Sequence, residues 1–484
     1  MSDRNGPADV VARLGAVFTI LRDTVAAFLP SSGGARSAAG IPTDADERRD
    51  QLTKMGSAAY LRLQLARVRS RFAGDEERAK QIRREALART AKDAVEVVGN
   101  MKGVMMKFAQ FASFQPGVPE SAREHLKQLQ ASAPQMSSEL AAACVERELG
   151  DLPSRVFATW ADEPIASASI GQVHRATTTD GRDVAVKVQY PGVDEAIRAD
   201  LSNAEGFITT FGTALGEDAD LTPHLREVAA RVGEELDYVT EATNQRFFAD
   251  RYRGHPYVVI PEVVDELTTP RILTSSFVDG RGFYDVLDGP QELRDRYGEI
   301  MFRFAFTSVF VDGVFSGDPH PGNYLFCDDG RVCFLDFGLV KRTTPDEFAM
   351  LRGPMAALVS GDRAGLRTSL TTLGALKPDA DVDDELLWKV FVRILGPVHE
   401  DVPRRCSMER DSEMDELADV PREERREVGR QLDMPPAALF FMRYRRGMWS
   451  VLAHLGAEAN WHRITREILF GDEPTTDIGR GWNA

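Results

Sequence analysis

Two short runs of this 484-residue chain carry oxygen-bearing side chains at spacings suited to gripping a polyphosphate and its metal: Gly317-Asp-Pro-His-Pro-Gly-Asn323 and Leu335-Asp-Phe-Gly338. Phosphoryl transfer leaves a protein little covalent work, so it asks for hard oxygen ligands for Mg2+, a compensating cation and fixed geometry. In that chemistry an Asp positions the acceptor, an Asn a short loop later ligates a metal, and the Asp of an Asp-Phe-Gly triplet bridges metal and phosphate. Asp318, Asn323 and Asp336 occupy those places, Asp318 as catalytic base or water-positioning group, Asn323 and Asp336 as metal ligands.

The elements that must deliver these side chains are legible around them. Arg331 to Val340 is apolar and β-prone just ahead of Asp336, which suits a buried strand carrying a carboxylate into a cleft. Asp328-Asp-Gly330 reads as the hairpin turn feeding it. Upstream, Arg182-Asp-Val-Ala-Val-Lys-Val-Gln-Tyr-Pro191 has a strand pattern that places Lys187 to meet the α- and β-phosphates. Lysine strand, metal loop and Asp-Phe-Gly thus follow one another as they do in protein kinases. Where a Gly-x-Gly-x-x-Gly phosphate loop would stand, the chain has Ile165-Ala-Ser-Ala-Ser-Ile-Gly-Gln-Val-His174. Ala and Ser restrict φ where Gly would not, so this loop should be stiffer and seat a nucleotide differently.

Together with Glu235-Leu-Asp-Tyr-Val-Thr-Glu-Ala-Thr-Asn244, these motifs resemble the UbiB/AarF family of atypical kinases, also called ADCK-type, which is tied to isoprenoid-quinone and lipid metabolism. The resemblance runs from about Lys102 to Val340, with a weaker echo at Met434 to Arg443. It includes a Lys-x-Gly-Gln-like element, here Lys107-Phe-Ala-Gln110, in which Ala109 stands where the family has Gly. The resemblance implies an α+β, two-lobed protein-kinase-like fold with N-terminal and C-terminal helical extensions, and ATP with Mg2+ as cofactors. It makes Asp318, Lys187 and Glu241 the catalytic set, with Glu241 on a helix pairing with Lys187, and pairs Lys107 with Glu235 of a Glu-x-Asp motif that Asp237 completes. Cofactor contacts are implied for Ala166, Ser167, Ala168, Ser169, Ile170, Gly171, Lys187, Lys107, Gln110, Glu235 and Asp237. Helical geometry accords with one point, since Gly103, Lys107 and Gln110 share a face while Val104, Phe108 and Phe111 form an apolar stripe on another. The long interval from Lys187 to Glu241 implies a helical insert such as 193–216. Ser316-Gly-Asp318 lacks the His two places before the Asp and the Arg beside it, which argues against control by activation-loop phosphorylation. His320 reads as a hydrogen-bonded structural residue.

Composition sets the frame. With 43% hydrophobic residues there is material for a two-lobed core and accessory helices, and a net charge of −16 argues against general nucleic-acid binding. Cys144, Cys327, Cys333 and Cys406 lack metal-type spacing, so a reduced cytoplasmic setting without structural zinc is expected. No run reaches the ~20 apolar residues a membrane span needs. The nearest, Val10 to Leu29, is broken by Arg13, Arg22 and Asp23, and two readings stay open: a helix lying on a bilayer, or one docked on the protein's own core. Pro30 to Thr43 reads as a flexible linker, and the locally basic segment 51–95 could meet anionic lipid headgroups. The expected organisation is an amphipathic helix and linker over 1–50, a helical extension over 51–150, a kinase-like N-lobe over 151–280, the catalytic part of the C-lobe over 281–345, and an all-helical remainder over 346–484. The expected function is an ATP-dependent phosphotransferase or ATPase acting in quinone biosynthesis or lipid homeostasis. Its expected partners are ATP and, where the lipid reading holds, anionic or quinone-like lipid and pathway enzymes; the expected location is cytoplasmic, with peripheral membrane association as an option. The alternative is a nucleotide-gated, pseudokinase-like protein that binds lipid or a partner with negligible turnover.

Overall fold

The computed structural model describes residues 136–168, 170–195, 236–396, 398–407, 422–433 and 436–482, with isolated positions 69, 78 and 81. Segment 10–29, nearly all of 51–95, Lys107 to Gln110, Ser169, most of 193–216 and Glu235 lie outside the described residues. The chain divides into two compact units, one of 1–113, 118–136 and 190–233, the other of 114–117, 137–189 and 234–484. The elements below belong to the second unit.

Helix α1 (Ser138–Leu149) is capped by the Ser137 side chain and closed by Gly150 at φ 85, a left-handed conformation that glycine adopts without steric cost. A single turn, α2 (Pro153–Val156), leads into strands β1 (Phe157–Trp160), β2 (Ala166–Ser167), β3 (Gly171–Thr178) and β4 (Asp183–Gln189). Helix α3 (Tyr238–Arg251), β5 (Val258–Val259) and β6 (Ile272–Ser276) follow. The first sheet runs β1-β3-β4-β6, antiparallel throughout, with β2 pairing β3. The strand expected around Lys187 is β4, and its alternation explains its placement. Val184, Val186 and Val188 are buried on one face at 0–1% exposure, which leaves Ala185 and Lys187 on the other.

Strand β7 (Arg281–Gly282) precedes α4 (Gln291–Thr307), buried without a break from Tyr297 to Thr307 as befits the central helix of a core. Phe302 meets Trp461 at 5.0 Å, and the buried Arg303 donates to Glu299 at 2.7 Å and Glu467 at 2.5 Å. Strands β8 (Val314–Ser316), β9 (Tyr324–Phe326), β10 (Val332–Phe334) and β11 (Val340–Arg342) come next. The second sheet is β5-β10-β9-β7, and β8 pairs separately with β11. The expected turn joins β9 to β10, with Gly330 at φ 83. The chain continues through α5 (Pro345–Val359), α6 (Arg363–Thr372), α7 (Asp384–Leu395), β12 (Arg404–Arg405), α8 (Arg422–Gln431), α9 (Pro436–Leu455), β13 (Glu458–Ala459), α10 (Trp461–Phe470) and α11 (Asp477–Trp482). The all-helical expectation for 346–484 is corrected here: β12 and β13 form an antiparallel ladder. Two-residue strands are too short to show an alternating pattern in sequence. Among the described residues no helix is long and apolar enough to cross a membrane.

Two histidines make this fold acid-sensitive. His174 is wholly buried, with Nδ1 2.8 Å from the Ala161 carbonyl it donates to and Nε2 accepting from the Gln172 amide at 2.9 Å. His255 Nδ1 accepts from the amides of Tyr257 and Val258, each at 3.2 Å, so Nε2 donates to the Trp482 carbonyl at 3.0 Å. In each ring one nitrogen faces a donor, so a second proton has nowhere to go. Burial lowers both rings below the ordinary histidine range. A depressed folded-state value means stability that is complete above the unfolded pKa of about 6.5 and lost as the pH falls through the folded values below it. The urea midpoint should therefore decline from pH 6.5 towards pH 5, and a flat midpoint over that interval would contradict neutral, hydrogen-bonded imidazoles.

Candidate functional site

The Asp318 loop and the Asp-Phe-Gly turn are held together by one ladder. Strand β8 delivers Asp318 and β11 departs from Gly338, with Val340 opposite Ser316 in register. The Gly317 amide donates to the Leu339 carbonyl at 2.6 Å, beyond the last strand pair. Within the loop, the His320 amide and the Asn323 Nδ2 both donate to the Asp318 carbonyl at 2.9 Å. Committing Nδ2 in this way turns the Asn323 amide oxygen outward from that bond as a hard donor. The Asn323 carbonyl accepts from Leu335 at 3.0 Å and so ties this loop to the end of β10. His320 Nδ1 accepts from the Gly322 amide at 3.1 Å and caps the turn Pro321–Asn323, the structural role expected of it.

Lys187 crosses from β4 to α3. Its Nζ lies 2.8 and 3.0 Å from the two Glu241 carboxylate oxygens and 4.0 Å from an Asp336 oxygen. The Glu241 side chain is 2% exposed and that of Lys187 17%. Burial alone would lower the ammonium, but Glu241 and Asp336, with Tyr238 beneath it, outweigh burial and hold it above the ordinary lysine range. A permanent cation therefore sits beside a carboxylate whose Oδ1 accepts from the Gly338 amide at 2.9 Å. Lys187, Glu241 and Asp336 come together, while Asp318 and Asn323 flank Asp336 along the wall of a cavity of about 20 Å³.

The Ala-rich segment is the hairpin β2–β3, closed by the Ala168 amide donating to the Gly171 carbonyl at 2.8 Å. Ala166 and Ser167 are exposed and Ile170 is buried. Gly171 is needed for close packing: a Cβ there would stand 2.4 Å from the Val188 carbonyl oxygen and 2.9 Å from the Tyr238 hydroxyl. Asp237 is exposed and caps α3, accepting from the Val239 amide at 2.9 Å, so it orients the helix that carries Glu241.

Three features have no role assigned by the motifs, although Asn244 closes the Glu235–Asn244 segment and Phe440 lies in the Met434–Arg443 echo. Helix α9 lies directly against the Asp318 loop: a Cβ on Gly317 would fall 2.1 Å from the Phe440 ring, and one on Gly447 2.5 Å from Pro319. This helix stands behind a loop that has no bracing His at Ser316. Tyr324 and Tyr444 line the same cavity, and burial, with Tyr444 and Asp318 nearby, raises the Tyr324 hydroxyl far above its usual range, leaving it a proton donor. Finally, α3 contacts the Asp-Phe-Gly turn itself, through Asn244 and Phe248.

A family model described as the ABC1 atypical kinase-like domain matches residues 128–370. The chain is 32% identical over 295 residues to Protein ACTIVITY OF BC1 COMPLEX KINASE 3, chloroplastic, of Arabidopsis thaliana, an alignment covering 57% of this chain and 40% of that protein. It is 32% identical over 311 residues to the uncharacterized protein Rv0647c of Mycobacterium tuberculosis, covering 61% and 63%. It is also similar to the solved complex of Rv3197 with erythromycin from Mycobacterium tuberculosis, with a TM-score of 0.59 at 29% identity, covering 78% of this chain and 95% of that one. The chain thus spans less than half the length of the plant relatives it matches, 40%, 41% and 46% of three of them.

Proposed function

Because the chain belongs to the ABC1 atypical kinase-like family, we propose that it binds Mg2+ and ATP beside Lys187 and transfers or hydrolyses the γ-phosphoryl group, acting in isoprenoid-quinone biosynthesis or lipid homeostasis. The observation that carries this is the Lys187–Glu241 pair, closed at 2.8 Å with Asp336 alongside. A cation held between two acids, one of which shares a cavity wall with Asp318 and Asn323, suits the charge neutralisation that phosphoryl transfer requires.

The donor set suits magnesium. Asn323 and Asp336 offer hard oxygens, too few to cage an ion alone but enough for one that shares its coordination with phosphates and water. Bound there, the ion would offset charge developing on the phosphate oxygens. The chain's own groups do the rest: Lys187 engages the phosphates, Glu241 keeps its ammonium aimed, and Asp318 orients an acceptor hydroxyl or water. The Ala-rich segment at Ala166–Ala168, whose residue types restrict φ where Gly would not, favours a small or lipid-like acceptor, or water, over a protein.

The test is phosphate release from Mg·ATP by purified protein, with and without anionic liposomes, beside an ATP-induced thermal shift. Asp318→Asn should cut release about 10²-fold and leave the shift intact, since it removes proton handling and not phosphate binding. Stimulation by liposomes would support a peripheral membrane role for the basic N-terminal segment. A shift without release in the wild type would favour the nucleotide-gated binding protein, and no shift would sink both readings.

A further inference from the structure

We infer that Asn244 is a positioning residue that fixes the Asp336 carboxylate from helix α3, through a single peptide unit. This rests on the proposed Mg·ATP site and deepens it. The Asn244 Nδ2 donates to the Phe337 carbonyl at 3.2 Å. The amide of that same peptide unit, the Gly338 N–H, donates to Asp336 Oδ1 at 2.9 Å. A trans peptide points its C=O and N–H in opposite directions, so Asn244 and the Asp336 carboxylate grip the two ends of one rigid plane. Rotation of the plane breaks both bonds at once. Hydrogen bonds in such a chain also polarise one another, which strengthens the donor that Asp336 feels.

The orientation of the Asn244 amide is fixed from its other end. Arg342, on β11, donates to Asn244 Oδ1 at 3.4 Å, and an arginine has only donors to offer, so the amide nitrogen must face Phe337. Asn244 is 8% exposed, and its turn of helix continues a series. Glu241, Asn244 and Phe248 follow one face of α3. Glu241 binds Lys187, Asn244 binds the Phe337 carbonyl, and the Phe248 ring stacks on Phe337 at 4.8 Å. One helix face thereby sets both the cation and the metal-facing acid, and within that face Asn244 reaches the peptide that aims the acid.

The consequence is specific to the metal. Partners that orient a ligand from behind typically change metal affinity 10- to 100-fold. Asn244→Asp preserves shape and still accepts from Arg342, but it cannot donate to the Phe337 carbonyl; Asn244→Leu is the second, uncharged variant, in case the first folds poorly. Thermal shift with ATP would be recorded in EDTA and across a Mg2+ titration. The expected result is an ATP response in EDTA like that of the wild type and a Mg2+ midpoint raised about 10-fold or more. Unchanged Mg2+ midpoints in both variants would overturn the inference while leaving the functional reading in place. Equal weakening of the ATP response with and without metal would show a merely structural role and overturn it too. A wild-type chain with no Mg2+-dependent ATP response would overturn the functional reading and this inference together.

Discussion

Asp336→Asn should lower ATP turnover by about 10³-fold or more while leaving the fold and metal-free nucleotide binding close to those of the wild type. The substitution keeps the shape of the side chain and an oxygen able to accept from the Gly338 amide at 2.9 Å. It removes the charge that lies beside Lys187 and that the proposed metal would meet. Lys187 remains neutralised by Glu241 at 2.8 Å, so no buried charge is left without a partner, and the stability cost should be small. A metal at a phosphoryl centre contributes several kcal/mol of charge stabilisation, and about 4 kcal/mol corresponds to about 10³ in rate. Phosphate release at saturating Mg2+, set beside thermal shift in EDTA, separates the two effects. Turnover within tenfold of the wild type would mean that Asp336 is not a metal ligand.

The reach of the sequence differed from residue to residue, and the differences have physical causes. Lys187, Asp318, Asn323 and Asp336 lie in short motifs whose spacing is set by a strand or a tight loop, so local pattern placed them on the elements that hold them. Glu241 is separated from Lys187 by 54 residues, and only resemblance to a family linked them; the bond at 2.8 Å agrees with that link. The resemblance implies a cofactor contact for Asp237 because it completes a motif, while in the structure its side chain caps α3, a role that its place just ahead of the helix suggests. The contacts of Asn244 and Phe440 leave no local trace. Each depends on two distant segments meeting, and neither segment has a period or composition that names its partner. The β12–β13 ladder has no sequence signal for a related reason, since it is short and joins strands on either side of the described helices α8 and α9.

Gly317→Ala should impair catalysis through helix α9, and a second substitution should repair it. Gly317 immediately precedes Asp318, and its amide donates to the Leu339 carbonyl at 2.6 Å, so the loop has little freedom to retreat. The added Cβ would lie 2.1 Å from the tip of the Phe440 ring, well inside contact distance. That ring is 4% exposed and packs on Phe315 at 5.6 Å, so it cannot simply swing into solvent. Either the ring or the Asp318 loop must yield. Overpacking of this kind costs about 1–3 kcal/mol of stability, and a displacement near 1 Å at a reacting group costs about 10² in rate. Phe440→Leu shortens the obstructing side chain. In the Gly317→Ala background it should therefore recover much of the lost turnover and melting temperature, giving a coupling energy between the two sites of about 1 kcal/mol or more. Strict additivity of the two substitutions in the melting temperature and in phosphate release would show that α9 does not brace the Asp318 loop. Coupling in both would identify α9 as the support that stands in for the histidine this loop lacks at Ser316.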